Sequence, residues 1–315
     1  MKNKKLQNNY ILTGADGGTL YSVVIALPLI LSLIFSIILI ATGLYNDGEF
    51  IKSSLFTYIS YALSALSLLA VILFAKVKNN LDLKASISLN SCHPKYYLIA
   101  LLLLFGALFG LGWVNDKFIE FLQRFGHEVT SPEIPKNGIG DYILCFIVVC
   151  VCPAIFEECI FRGLLLNGAR RAGDLFAVLV CGLLFSLFHK NPAQTVYQFI
   201  VGAVLTLLAL KSGSILPSIL FHFVNNLYII TFYFLAPANF AFDKWVQIVL
   251  AILGVIAFAL AFIYLLLKCE KPLRDKELDA DFEEIMPKKQ NGKMFLIFAL
   301  PGIVAALLMW ITNLG

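Results

Sequence analysis

Nine mostly apolar stretches of 15 to 24 residues follow one another along this chain, at 21–44, 54–75, 96–114, 142–162, 175–189, 195–210, 215–235, 245–267 and 294–312. Each is near the ~20 residues that carry a helix across a bilayer core. Inside lipid a single apolar run satisfies its backbone only by intrahelical hydrogen bonds. An all-α, polytopic membrane helix bundle of about nine transmembrane helices is therefore expected. Composition agrees: 60% of the 315 residues are hydrophobic and 14% are charged, where a soluble domain is about half apolar and about a quarter charged. No basic stripe with interleaved aromatic residues occurs, which argues against nucleic acid as a partner.

Lysine and arginine fall mainly on alternate connections: the N-terminus (Lys2, Lys4, Lys5), residues 76–95, 162–171, Lys211 and 268–293. The positive-inside rule then places the N-terminus in the cytosol and the C-terminus outside. It also turns the Glu157 end of the fourth stretch toward the cytosol, so a site there is expected to open on the cytosolic side of the cell membrane. Residues 1–95 are expected to form N-terminal spans and a loop, 96–235 the functional core, and 236–315 C-terminal spans. Gly14, Gly17 and Gly18 are expected to make a flexible lead-in.

The fourth stretch carries Phe156-Glu157-Glu158-Cys159-Ile160-Phe161-Arg162, three charges set into an apolar run. A charge at membrane depth costs at least ~2.5 kcal/mol on insertion scales, which makes it a functional candidate by default. Glu158 and Arg162 stand four apart with the acid first, the favourable helical pairing. Glu157 lies about 100° further round the helix and has no such neighbour. An unpaired carboxylate is what a general base requires.

Of the four histidines, His93 and His127 lie among polar loop residues and read as surface groups. His189 closes Phe185-Ser186-Leu187-Phe188-His189, and His222 precedes Asn226 by one helical turn on the same face. Gly173-Asp174 breaks the chain 16 residues after Glu157 and 16 before His189, counted from Gly173. An antiparallel hairpin would therefore bring the two to one level, ~24 Å from the turn. His222 is only ~15 Å past its own turn at 211–214, so it joins them if the 163–174 turn projects further.

Such a set suits amide hydrolysis without a covalent nucleophile. Glu157 and His189 could share the activation of one water, while His222 and Asn226 could donate to the oxyanion of a tetrahedral intermediate. That mechanism needs no cofactor. Alternatively Glu157, His189 and His222 could ligate zinc with an open fourth position, although no HExxH is present.

Glu157-Glu158-x-x-x-Arg162, Phe185-x-x-x-His189 and His222-x-x-x-Asn226, in that order within 142–235, resemble the three motifs of the CPBP family. That family comprises the type II CAAX prenyl proteases and the Abi bacteriocin-processing intramembrane proteases. The resemblance implies an intramembrane endopeptidase of about eight helices and of the glutamate type, with a catalytic core of four helices. In it Glu157 and His189 activate water, His222 and Asn226 form the oxyanion hole, and Glu158, Arg162 and Phe185 support them. Members have also been described as metalloproteases. The implied substrate is a membrane-associated peptide or protein, whether leader-bearing, bacteriocin-like or prenylated.

Gly138-Ile139-Gly140-Asp141 fits the GxGD pattern of aspartyl intramembrane proteases. Asp141, however, stands at the mouth of a span with no second aspartate placed mid-membrane, and reads as a helix N-cap. Two other classes of function compete with the hydrolase: a non-proteolytic immunity or binding protein of the same fold, and a transporter binding a solute at the buried charges. Transporters favour inverted repeats, and the sequence displays none.

Overall fold

The computed structural model describes residues 11–46, 48–51, 53–127, 134–236 and 241–314. Lys2, Lys4 and Lys5 lie outside them. The principal helices are α1 (Gly14–Ala41), α2 (Ser54–Asn79), α3 (Lys95–Gly110), α4 (Gly112–Arg124), α5 (Ile139–Ala172), α6 (Asp174–Phe188), α7 (Thr195–Ser212), α8 (Leu216–Leu235), α9 (Lys244–Lys268), α10 (Leu273–Glu283) and α11 (Lys288–Thr312). No strand occurs among the described residues, and the protein is a multi-pass helical membrane bundle.

Among the described residues seven helices are long and apolar enough to cross a bilayer, or eight if α3 and α4, bent by 42°, form one span. The expected nine is not reached because α6 has only 15 residues. Its ~22 Å falls short of the ~30 Å hydrocarbon core. The helix is instead packed tightly on α7: Gly182 meets Ala203, and Gly202 meets Gly182 and Phe185. Small residues allow such backbone approach in lipid, where packing drives helix association.

Gly17 and Gly18 are not a flexible lead-in. A capping box formed by Thr13 and Asp16 starts α1 ahead of them, and a side chain on Gly18 would collide with the Phe295 carbonyl of α11. The first and last helices of the chain therefore pack backbone to backbone.

The fourth stretch continues as a helix past Arg162 to form the 34-residue α5. Two π turns interrupt it, at Phe146–Val151 and Cys159–Leu165. Pro153 follows the first. Proline has no N–H for the Val149 carbonyl four residues back, and its ring crowds that carbonyl.

Basic residues gather at one end of the bundle. Arg170 and Arg171 close α5 and, with Lys271, surround Asp279 of α10. The C-terminus lies at the other end, where Trp310 Nε1 donates to Thr195 Oγ1 at 2.7 Å and Asn313 Nδ2 donates to the Lys190 carbonyl at 2.8 Å. The α7–α8 turn is buried: Ser214 is inaccessible and Gly213 packs under Pro272. The α5–α6 turn, in contrast, carries the exposed Asp174. His222 nevertheless reaches the middle of α5, where its Nδ1 stands 2.9 Å from Glu158 Oε1.

Candidate active site

Glu158, fully buried, is the hub of the polar set. Its Oε1 accepts from Arg162 Nη1 at 2.7 Å, the expected pair, and stands 2.9 Å from His222 Nδ1 on α8. A carboxylate accepts, so the His222 hydrogen is on Nδ1 and Nε2 is free toward the cavity. Arg162 Nη2 also donates to the Gly202 carbonyl of α7 at 3.4 Å. Its guanidinium lies 4.2 Å from the centre of the Phe185 ring, a cation–π contact. Three helices are thus tied to α5 through one ion pair.

Phe185 meets both imidazoles. Its ring stands edgewise to His189 at 4.8 Å and to His222 at 6.2 Å between centroids. His189 Nδ1 lies 2.8 Å from the Phe185 carbonyl, so it too carries its hydrogen on Nδ1 and leaves Nε2 open. Glu157 is 8% exposed, and its carboxylate makes no hydrogen bond with any described residue; Oε2 is buried without a partner. An isolated acid beside a paired one is what the spacing along α5 suggested.

Asn226 is held on two sides. Its Nδ2 donates to the Val149 carbonyl at 2.9 Å, the acceptor that Pro153 leaves without its helical donor. Its Oδ1 accepts from Asn225 Nδ2 at 3.1 Å, and Tyr197 Oη donates to Asn225 Oδ1 at 3.5 Å. This chain fixes which way the amide points and leaves one N–H of Asn226 for the cavity. Asn225 and Tyr197 were not singled out from sequence. The adjacent Asn pair was the one available signal, and nothing local says which partner each takes.

Glu157, His189, His222 and Asn226 all line one cavity of about 800 Å³. Pro28, Leu68, Leu108 and Asn313 complete its walls from α1, α2, α3 and the C-terminal tail. Asp116, Ile134 and Lys190 also line it, toward the end of the bundle away from Arg170 and Arg171. The turn at Gly173 sends His189 back up α6 toward that end.

Asp141 has no part in the cavity. It sits in the first turn of α5, after Gly138 at the N-cap, and accepts from Asn137 N at 2.8 Å and Ser54 Oγ at 3.2 Å. It anchors the start of α5 to α2 rather than serving as the cap itself. His93 and His127 also lie away from the site; His127 Nδ1 is 2.8 Å from the Leu314 carbonyl.

Residues 139–228 match the family model of the type II CAAX prenyl endopeptidases, Rce1-like. The match, over less than a third of the chain, supports assigning this segment to the CPBP family of CAAX proteases. No curated protein and no solved structure gives a match. The CPBP segment runs from the start of α5 into α8 and contains all three motifs, whereas the cavity walls supplied by α1 to α4 and the C-terminal tail lie outside it. Among the described residues no group of three or more His, Cys, Asp or Glu side chains is placed to hold a metal ion.

Proposed function

We propose that the protein is an intramembrane endopeptidase that hydrolyses a peptide bond with a water activated by Glu157 and His189. The observation that carries this reading is an unbonded Glu157 carboxylate opening on the same cavity as His189, His222 and Asn226. Glu157 and the Nε2 of neutral His189 are both acceptors, and one water has two hydrogens to give them. As the water oxygen attacks the carbonyl carbon, one of its protons passes to Glu157. The remaining N–H of Asn226 donates to the oxyanion. His222 joins it when its ring also carries a hydrogen on Nε2, and Glu158 at 2.9 Å offers that charged ring a counter-ion. On collapse the C–N bond breaks and the leaving amine takes the proton held by Glu157.

No metal enters this step. Elemental analysis of active purified protein should find substoichiometric zinc; one zinc per chain would overturn the mechanism. The substrate class is a membrane-associated peptide or protein, leader-bearing, bacteriocin-like or prenylated. Peptides released from membranes of cells expressing the wild type, compared with cells expressing Glu157→Gln, test the activity. Specific products lost in the variant support an endopeptidase. Identical peptide sets would favour the binding or immunity protein, which should tolerate so small a change.

A further inference from the structure

Lys190 directly follows His189 and turns the chain between α6 and α7. Its backbone has φ +52°, the left-handed region that a non-glycine residue rarely adopts. Two hydrogen bonds hold it there: its N–H donates to the Leu187 carbonyl at 3.1 Å, and its own carbonyl accepts from Asn313. The side chain is partly buried in the cavity wall, where it is the only lysine or arginine among the described lining residues. Its ammonium has no hydrogen bond or ion pair with any described residue. A partly buried cation without a counter-charge gains from an anion brought beside it.

The surrounding wall suggests what supplies that charge. Seven of the chain's 22 Asn and Gln side chains line this cavity, among them Asn115, Gln194 and Gln198. Carboxamides pair a donor with an acceptor, the pattern an extended peptide backbone presents. Beyond the catalytic set the other charged lining residue, Asp116, is exposed to solvent. Lys190 is thus the one lysine or arginine that a peptide would meet among the described residues of this wall.

We propose that Lys190 is a substrate-binding residue whose ammonium receives a carboxylate of the bound peptide, either an acidic side chain or the chain end. The register between that carboxylate and the cleaved bond rests on the endopeptidase reading; the binding itself does not. Full-length protein carrying Glu157→Gln, in lipid nanodiscs, is mixed with short degenerate peptides in three forms. These have a free C-terminus with acidic residues, the same with Asp and Glu replaced by their amides, and the same with the C-terminus amidated. Bound peptides are recovered and read by mass spectrometry.

Carboxylate-bearing peptides should bind ~10-fold better than a neutralised form, the worth of one charge-assisted hydrogen bond. Whichever form loses binding names the source of the carboxylate. Lys190→Met should abolish the preference and Lys190→Arg should keep it. Carbodiimide coupling in the protein with Lys190 intact supplies a second readout, since a bound carboxylate should form an amide at Lys190. No preference, an unchanged preference in Lys190→Met, or coupling elsewhere would overturn the proposal. So would a preference erased by anionic lipid alone, because Lys190 would then serve a headgroup. A preference that persists while the protein with Glu157 intact cleaves nothing would leave the Lys190 site standing and remove the hydrolase reading.

Discussion

Oε1 of Glu158 stands within hydrogen-bond distance of two cationic or protonated partners, one from its own helix and one from α8. Removing Arg162 leaves that carboxylate buried without its counter-charge. Arg162→Met should therefore cost about 3–5 kcal/mol, read as a fall in thermal stability of the detergent-solubilised protein. The double variant Glu158→Gln/Arg162→Met should lose less than the two single losses summed. Asn225→Ala should leave the fold intact and lower kcat about tenfold, short of the 10²–10³ expected for removing the oxyanion donor itself by Asn226→Ala. A KM effect with unchanged kcat would argue against orientation of Asn226. The Glu158–Arg162 pair and the isolation of Glu157 were legible because helical spacing is local. The Glu158–His222 and Tyr197–Asn225 bonds were not, because each joins residues far apart in sequence whose rotation about their own helices only packing decides.

Two elements carry the site. In α5 a proline and a π turn create the acceptor that orients Asn226, so the irregularity of the helix serves the neighbouring one. Pro153→Ala restores an N–H that can return to the Val149 carbonyl. Stability should hold or rise while activity falls; wild-type turnover in that variant would detach Pro153 from the site. The second element, α10, is clamped through Asp279. Burial alone would raise that carboxyl, but Arg170, Arg171 and Lys271 outweigh it and hold it below the ordinary range. With the lower value in the folded state, the clamp contributes stability above the unfolded pKa of ~3.9 and loses it as pH falls through the depressed one. Amide exchange in α10 should stay slow at neutral pH and accelerate in strong acid. Asp279→Asn should exchange fast at both.

Across the whole molecule, apolar runs announced the bundle, but 175–189 was counted as a span although its helix, α6, has only 15 residues. The bend between α3 and α4 was less visible, since the small residues that permit it work by contact: a side chain at Gly106 or Gly110 would press on Gly254 and Phe258 of α9. The basic end and the end of α11 occupy opposite ends of the bundle. Single cysteines in place of Lys276 and Asn313 should accordingly react with a membrane-impermeant maleimide from opposite faces, with Lys276 the cytosolic one. Labelling of both from one face would contradict the arrangement. The central claim, an unpaired acid that activates water, is tested most directly by the turnover of purified protein in nanodiscs. Under chelation, Glu157→Gln should lower kcat by roughly 10²–10⁴-fold at an unchanged melting temperature. Full turnover by Glu157→Gln, or loss of wild-type activity on chelation with recovery on adding zinc, would contradict it.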